Sequence, residues 1–259
     1  MSIGKMLRLA RILPKNNKTV IVPIDHGIEG YYPELEDQRR LVREFIDGGA
    51  DAILLRRGTL MKVADLIAGR AGVILRVSGA TSTSKDLGDQ RLISSVRESL
   101  LYGADAIVFT LMIGHAKEND MLTLFGNLVD EADEKGLPVI GEVDVWEKAS
   151  GDRFELIRQG VRVLSEEGAS LIKAYFPNER ERYKDIIKYS LVPVVAAGGP
   201  KLDDPIRVLT FVKDVIEAGA VGTCIGRNIW QYKEPRKMIK AISIIIKDNK
   251  GVEEASKAL

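Results

Sequence analysis

The sequence predicts an α/β fold, a single-domain (β/α)8 TIM barrel, and three observations predict it. First, a helix-like, charge-rich stretch followed by glycine and a short apolar run recurs four times, as GGADAILL (48–55), YGADAIVF (102–109), EGASLIKA (167–174) and AGAVGTCI (218–225). Glycine suits the left-handed position just past a helix end. The apolar runs are too short for helices and carry Ile, Val and Leu almost continuously, as parallel strands covered on both faces do. Second, filling the gaps gives eight strand–helix units in 259 residues with no linker or low-complexity tract between them, which is the length and rhythm of this barrel. Third, the rival open doubly wound sheet usually carries GxGxxG after its first strand, and here that turn reads DHGIEG.

Residues 1–259 are therefore taken as one barrel domain with a short N-terminal extension, about residues 1–18. The strands are TVIVPID (19–25), DAILLRR (51–57), GVILRVS (72–78), DAIVFTL (105–111), PVIGEVD (138–144), SLIKAY (170–175), PVVAAG (193–198) and VGTCIG (221–226). Amphipathic stretches such as PELEDQRRLVREFIDG and DRFELIRQGVRVLSEEG supply the helices between them.

Active sites of such barrels lie at the C-terminal ends of the strands, so those ends are where chemistry is expected. Strand 1 ends in Asp25 and His26, strand 2 in Arg56 and Arg57, and strand 3 in Arg76 and Ser78. Strand 5 carries Glu142 and Asp144 on one face, and strand 6 carries Lys173 and Tyr175 on one face. Polar groups collect at these ends and are missing from the strand beginnings.

Lys173 is the residue to explain, because a cation inside a barrel is costly unless it is paired or neutralised. Two roles stand. A strand-end lysine can extend its ammonium into water. Alternatively, burial lowers its pKa, and the neutral amine attacks a carbonyl to form a Schiff base, an electron sink for a carbanion on the next carbon. The glycine-rich turns GGPK (198–201) and GRN (226–228) follow strands 7 and 8, where these barrels usually hold phosphate. Gly198, Gly199 and Gly226 would let backbone N–H groups approach phosphate oxygens, with Arg227 adding a bidentate contact; the same glycines also suit tight turns. Asp25 would relay protons to and from the adduct, pair with an inward arginine or with Lys173, or do both. His26 is read as orienting a loop and Cys224 as core.

Composition narrows the classes. The 38 basic and 37 acidic side chains nearly cancel, and no stretch is basic alone, so a nucleic-acid partner is not expected. No apolar run reaches roughly 18 residues, so no membrane span is expected. A single cysteine fits a reducing compartment, and a cytoplasmic location follows as the expectation. With only His26 and His115 as histidines, no metal site and no cofactor are expected.

VPIDHG, LRRG, LRVSGATS, GASLIKAY, VVAAGGPK and GRNIWQ together resemble the archaeal-type class I aldolases, a Schiff-base (β/α)8 family that includes archaeal fructose-bisphosphate aldolase. The resemblance spans nearly the whole chain. It implies a class I aldolase or transaldolase acting on a phosphorylated ketose. Lys173 would form the imine and Asp25 would be the strand-1 acid, with Gly198, Gly199, Gly226 and Arg227 in the phosphate loops. By likeness the chain would form a ring-shaped homo-oligomer. The N-terminal segment looks most like the branch making 2-amino-3,7-dideoxy-threo-hept-6-ulosonate for aromatic biosynthesis. LRVSGATS and KAYF also look like the thiolase that processes phosphorylated autoinducer-2. One departure stands out: where the aldolase branches end strand 5 with a proton-transferring tyrosine, this chain has Asp144. Asp144 either moves that proton, with Glu142 raising its pKa by like-charge repulsion, or merely pairs with an arginine; Tyr175 is another source of the missing hydroxyl. Two other readings remain open: acyl transfer in the manner of the thiolase, and a phosphometabolite-binding barrel without aldol activity.

Overall fold

The computed structural model describes residues 2–14, 16–176 and 179–259. Eight parallel strands close on themselves. They are β1 (Thr19–Pro23), β2 (Ala52–Leu55), β3 (Gly72–Arg76), β4 (Ala106–Ile113), β5 (Val139–Val145), β6 (Leu171–Tyr175), β7 (Val194–Ala197) and β8 (Gly222–Cys224). Neighbours follow chain order around the ring, and β8 pairs with β1. Each expected strand is present within one residue at its start and within two at its end.

The four repeated glycines do what their position suggested. Gly49, Gly103, Gly168 and Gly219 all have positive φ and turn the chain from a helix end toward the next strand. The aspartates after two of them show a correction. Strand beginnings are not free of polar groups, because Asp51 and Asp105 sit there. Asp51 accepts from the Val20 amide at 2.8 Å and Asp105 from the Val73 amide at 3.0 Å, each tying its own strand's start to a neighbour. Both are ion-paired as well, to Lys247 and Arg11.

Residues with even spacing divide between two cores. Ile172 and Ala174 join the shell between barrel and helices, while Ile21, Leu54, Ile74, Val108, Ile140, Leu171 and Val195 fill the barrel itself. Cys224 lies in that inner core, and burial pushes its thiol up to about 12. The N-terminal extension holds a helix, Ile3–Ile12, whose last residue Ile12 and the Leu13 that follows it join the same inner core and plug the bottom of the barrel. A feature without a forecast lies after β3: Ser78–Gly79 and Arg91–Leu92 form a two-stranded antiparallel ribbon at the base of a long loop.

Candidate active site

Strand register builds the site in layers. Val108, Ile140 and Leu171 are in register across β4, β5 and β6 and form an apolar floor. Two residues further along each strand, Thr110, Glu142 and Lys173 form the next inward row. One step higher, Met112 and Asp144 reach the rim. The strands thus pass from apolar to reactive residues as they approach their C-terminal ends.

Lys173 is only 8% exposed. Its Nζ contacts Glu142 Oε1, and the other Glu142 oxygen contacts Arg76. Arg76 then bridges outward: its Nε donates to Asp25 at 2.8 Å and its Nη1 to the Thr110 hydroxyl at 2.6 Å. Thr110 donates to Glu142 at 2.9 Å. Asp25, Arg76, Glu142 and Lys173 are therefore one buried chain of alternating charge.

That chain corrects the expectation of a depressed lysine. Burial acts downward on Lys173, but the charge of Glu142 overrides it and holds the amine above its ordinary value. The resting lysine is an ammonium. Burial acts upward on Glu142, yet Arg76 and then Lys173 hold the carboxyl well below its usual range. Asp25 follows the same logic: burial raises it, Arg76 outweighs burial, and the net shift is downward. Glu142 was expected only to perturb Asp144. Its place as the lysine's partner depends on β5–β6 register, which no single segment of sequence displays.

A cavity of about 450 Å³ opens above this row. Asp25, Arg56, Arg76, Thr110, Glu142, Asp144 and Lys173 line it, together with Ser82, Leu87 and Gln90 from the loop after β3. A larger cavity, about 630 Å³, lies at the opposite end, but its acidic residues Asp51 and Asp105 are committed to strand amides and ion pairs. The two roles open for Asp144 both keep a geometric basis. It lines the 450 Å³ cavity, yet its carboxylate is half exposed, accepts from the Val145 amide at 2.8 Å and lies 3.5 Å from Arg153.

The glycine turns stand beside the cavity, not in its wall: the described lining does not include Gly198, Gly199, Gly226 or Arg227. Asn228 ties the two turns together, accepting from the Leu202 amide at 2.7 Å and donating to the carbonyls of Gly198 and Pro200. Gly226 is backed by His26, which packs edge-on against Trp230 and Tyr32 and also lines the cavity. Gly199, with φ +61°, has the Tyr175 ring behind it. Arg227 Nε is buried without a hydrogen-bond partner among the described residues, a donor left over at the end of β8. Among the described residues, no group of three or more His, Cys, Asp or Glu is gathered as metal ligands would be, and no helix is long and apolar enough to cross a membrane.

A family model for the DeoC/LacD family aldolases matches residues 19–232. The chain belongs to the DeoC/LacD family of aldolases. The Schiff-base aldolase barrel anticipated from the motifs is the one found, and the chain is an enzyme of the aldolase class. It is 31% identical to 2-amino-3,7-dideoxy-D-threo-hept-6-ulosonate synthase 1 of Archaeoglobus fulgidus, over 97% of this chain and 94% of that one. The synthase of the same name from Halobacterium salinarum is also 31% identical, over 97% and 95%. Among solved structures, a Schiff-base-forming fructose-1,6-bisphosphate aldolase superposes with a TM-score of 0.86 at 26% identity, covering 93% of this chain and 99% of that one. An archaeal fructose-1,6-bisphosphate aldolase with its catalytic lysine bound to the carbinolamine intermediate superposes with a TM-score of 0.82 at 26% identity, over 93% and 99%.

Proposed function

We propose that this DeoC/LacD aldolase forms or cleaves a carbon–carbon bond of a phosphorylated ketose through an imine on Lys173. The observation that carries this reading is the placement of the Lys173 amine: buried on the cavity floor, in contact with Glu142 and in one charge chain with Asp25. A lysine that only reached for water would not be buried against the carboxylate of Glu142. The solved relatives described as Schiff-base aldolases support the imine, and the relatives named as synthases support bond formation as well as cleavage.

The resting ammonium is not a nucleophile, so its proton must leave first. Glu142 touches Nζ and is the acceptor. The freed amine adds to the ketone carbon, and the proton that its nitrogen sheds passes to the carbonyl oxygen, directly or by way of the Asp25 carboxylate, to give the neutral carbinolamine. The hydroxyl then departs as water with the proton that Glu142 had taken, leaving the iminium. In cleavage, the C3–C4 bond breaks, its electron pair enters the iminium to give an enamine, and the C4 hydroxyl proton passes to Asp144. Protonation of the enamine and addition of water release the ketone half. The glycine turns and Arg227 hold the phosphate that positions the ketone.

Reduction with borohydride in the presence of dihydroxyacetone phosphate, followed by peptide mass mapping, tests this reading. The expected result is an adduct on the peptide holding Lys173, absent in Lys173→Met. An adduct on a different lysine, or none with either dihydroxyacetone phosphate or fructose 1,6-bisphosphate, would refute it; an acyl thioester formed with coenzyme A would replace it by the acyl-transfer reading.

A further inference from the structure

Arg56 follows β2 and lines the catalytic cavity. Its situation differs from that of Arg76 in the same wall. Arg76 is saturated by Asp25, Glu142 and Thr110. Arg56 makes no ion pair among the described residues. Its Nε donates to the Asp25 carbonyl at 3.2 Å and its Nη1 to the Ser78 carbonyl at 3.3 Å. Burial acts on it first and lowers its pKa from the ordinary value, the mark of a charge with too little compensation. A guanidinium remains charged all the same. Arg56 is half-buried, and even partial withdrawal of such a charge from water without a counter-charge is costly.

The two carbonyls fix the plane of the guanidinium, and its Nη2 makes no hydrogen bond to the described residues. A pre-oriented, unspent fork of this kind matches the oxygens of a phosphate or carboxylate. Ser78 lies beside it, and the loop after β3 adds Ser82 and Gln90 to the wall. Of the remaining carboxylates in this wall, Asp144 lies 3.5 Å from Arg153, and Glu29 is half exposed, 4.0 Å from Arg227 and 3.5 Å from the Tyr32 hydroxyl. In the ring, β1 separates β2 from the β8 glycine turn. Arg56 and the glycine turn after β8 therefore stand on either side of Asp25.

We propose that Arg56 is a second anion subsite, so that the substrate carries a phosphate or carboxylate on the half remote from the glycine turns. This rests on the imine reading, which assigns the turns to the ketone half.

The test compares aldol synthesis from dihydroxyacetone phosphate with three acceptors: glyceraldehyde 3-phosphate, succinic semialdehyde and neutral glyceraldehyde. The expected result is a preference for one charged acceptor, phosphate or carboxylate, which identifies the anion. Arg56→Met lowers the charged-to-neutral ratio of kcat/KM by about 10- to 100-fold, and Arg56→Lys restores part of it. An equal loss on all acceptors would show that Arg56 only supports the Asp25 and Ser78 carbonyls, and a wild-type chain indifferent to acceptor charge would also overturn the proposal. Borohydride trapping separates the two failures: an adduct on Lys173 with an unmoved ratio sinks the subsite and keeps the imine reading. If no adduct forms, calorimetric affinities for fructose 1,6-bisphosphate and fructose 1-phosphate decide the subsite alone. A bisphosphate advantage that Arg56→Met removes supports it, and no advantage, or no binding, rejects it.

Discussion

At Asp144, crowding by the surrounding protein acts upward on the carboxyl, and Glu142 adds repulsion in the same direction. The Val145 amide and Arg153 act downward, and the net shift is up. If Asp144 accepts the C4 hydroxyl proton, cleavage requires it ionised, so kcat rises as pH passes through a value above the ordinary aspartate pKa of about 4. Asp144→Asn is expected to remove that acidic limb and lower kcat by about 10²- to 10⁴-fold, while the reduced adduct on Lys173 still forms. A pH profile of kcat for both proteins checks it; an acidic limb that survives in the variant would relegate Asp144 to pairing with Arg153. The position of Lys173 and its inward direction were legible from the alternation of SLIKAY. Its charge state was not, because that depends on Glu142, which arrives from β5 through register. The same holds for Arg56, whose lack of a counter-charge becomes visible only once every carboxylate in the cavity has been placed.

At the scale of elements, the turns after β7 and β8 are poised by one side chain. Asn228 satisfies three backbone groups of the β7 turn from the first helical turn after β8. Asn228→Ala leaves the Leu202 amide and two carbonyls short of partners in a part-buried place, each such loss typically about 1–3 kcal/mol before water or relaxation compensates. If these turns hold the phosphate, the expected outcome is a KM for the phosphorylated ketose about 10-fold or more higher, with kcat changed much less, because the loss falls on a group bound equally in ground and transition states. Steady-state kinetics decide it: a fall in kcat at constant KM would detach the turns from phosphate binding. The barrel strands were readable because each carries a near-continuous apolar run behind a helix-ending glycine. Their polar beginnings were misjudged because Asp51 and Asp105 act on the amides of neighbouring strands, which local pattern cannot show. The ribbon after β3 was missed because pairs of two residues leave no periodicity.

For the whole molecule, the buried charge chain makes stability depend on pH in a definable way. Asp25 and Glu142 are held below their ordinary values in the folded state. Below about pH 5 the unfolded carboxyls take up protons that the folded ones refuse, so stability falls as pH falls. Lys173 is held above its ordinary value, so its contribution is complete at neutral pH and is lost only as pH rises past about 10, where the unfolded lysine sheds its proton first. Carboxylates outside the enclosed chain also shift downward, the exposed Asp47 beside Arg70 and Asp65 beside Arg39 and the partly exposed Asp89 beside Arg91. Salt at about 0.5 M screens these surface pairs and leaves the enclosed chain largely intact. Denaturant unfolding in such salt therefore isolates the site. The wild-type protein should lose stability between about pH 5 and 3 under these conditions. Glu142→Gln strands Lys173 without a counter-charge and leaves Arg76 to Asp25 alone, so it should cost about 3–5 kcal/mol at neutral pH. It should also flatten the acid slope, since one depressed carboxyl is gone. Glu142→Gln combined with Lys173→Met should recover part of the neutral-pH loss, because one stranded cation is removed with its partner. An acid slope in Glu142→Gln equal to that of the wild type would mean that the titration resides elsewhere, and that Glu142 is not the charge holding Lys173 protonated.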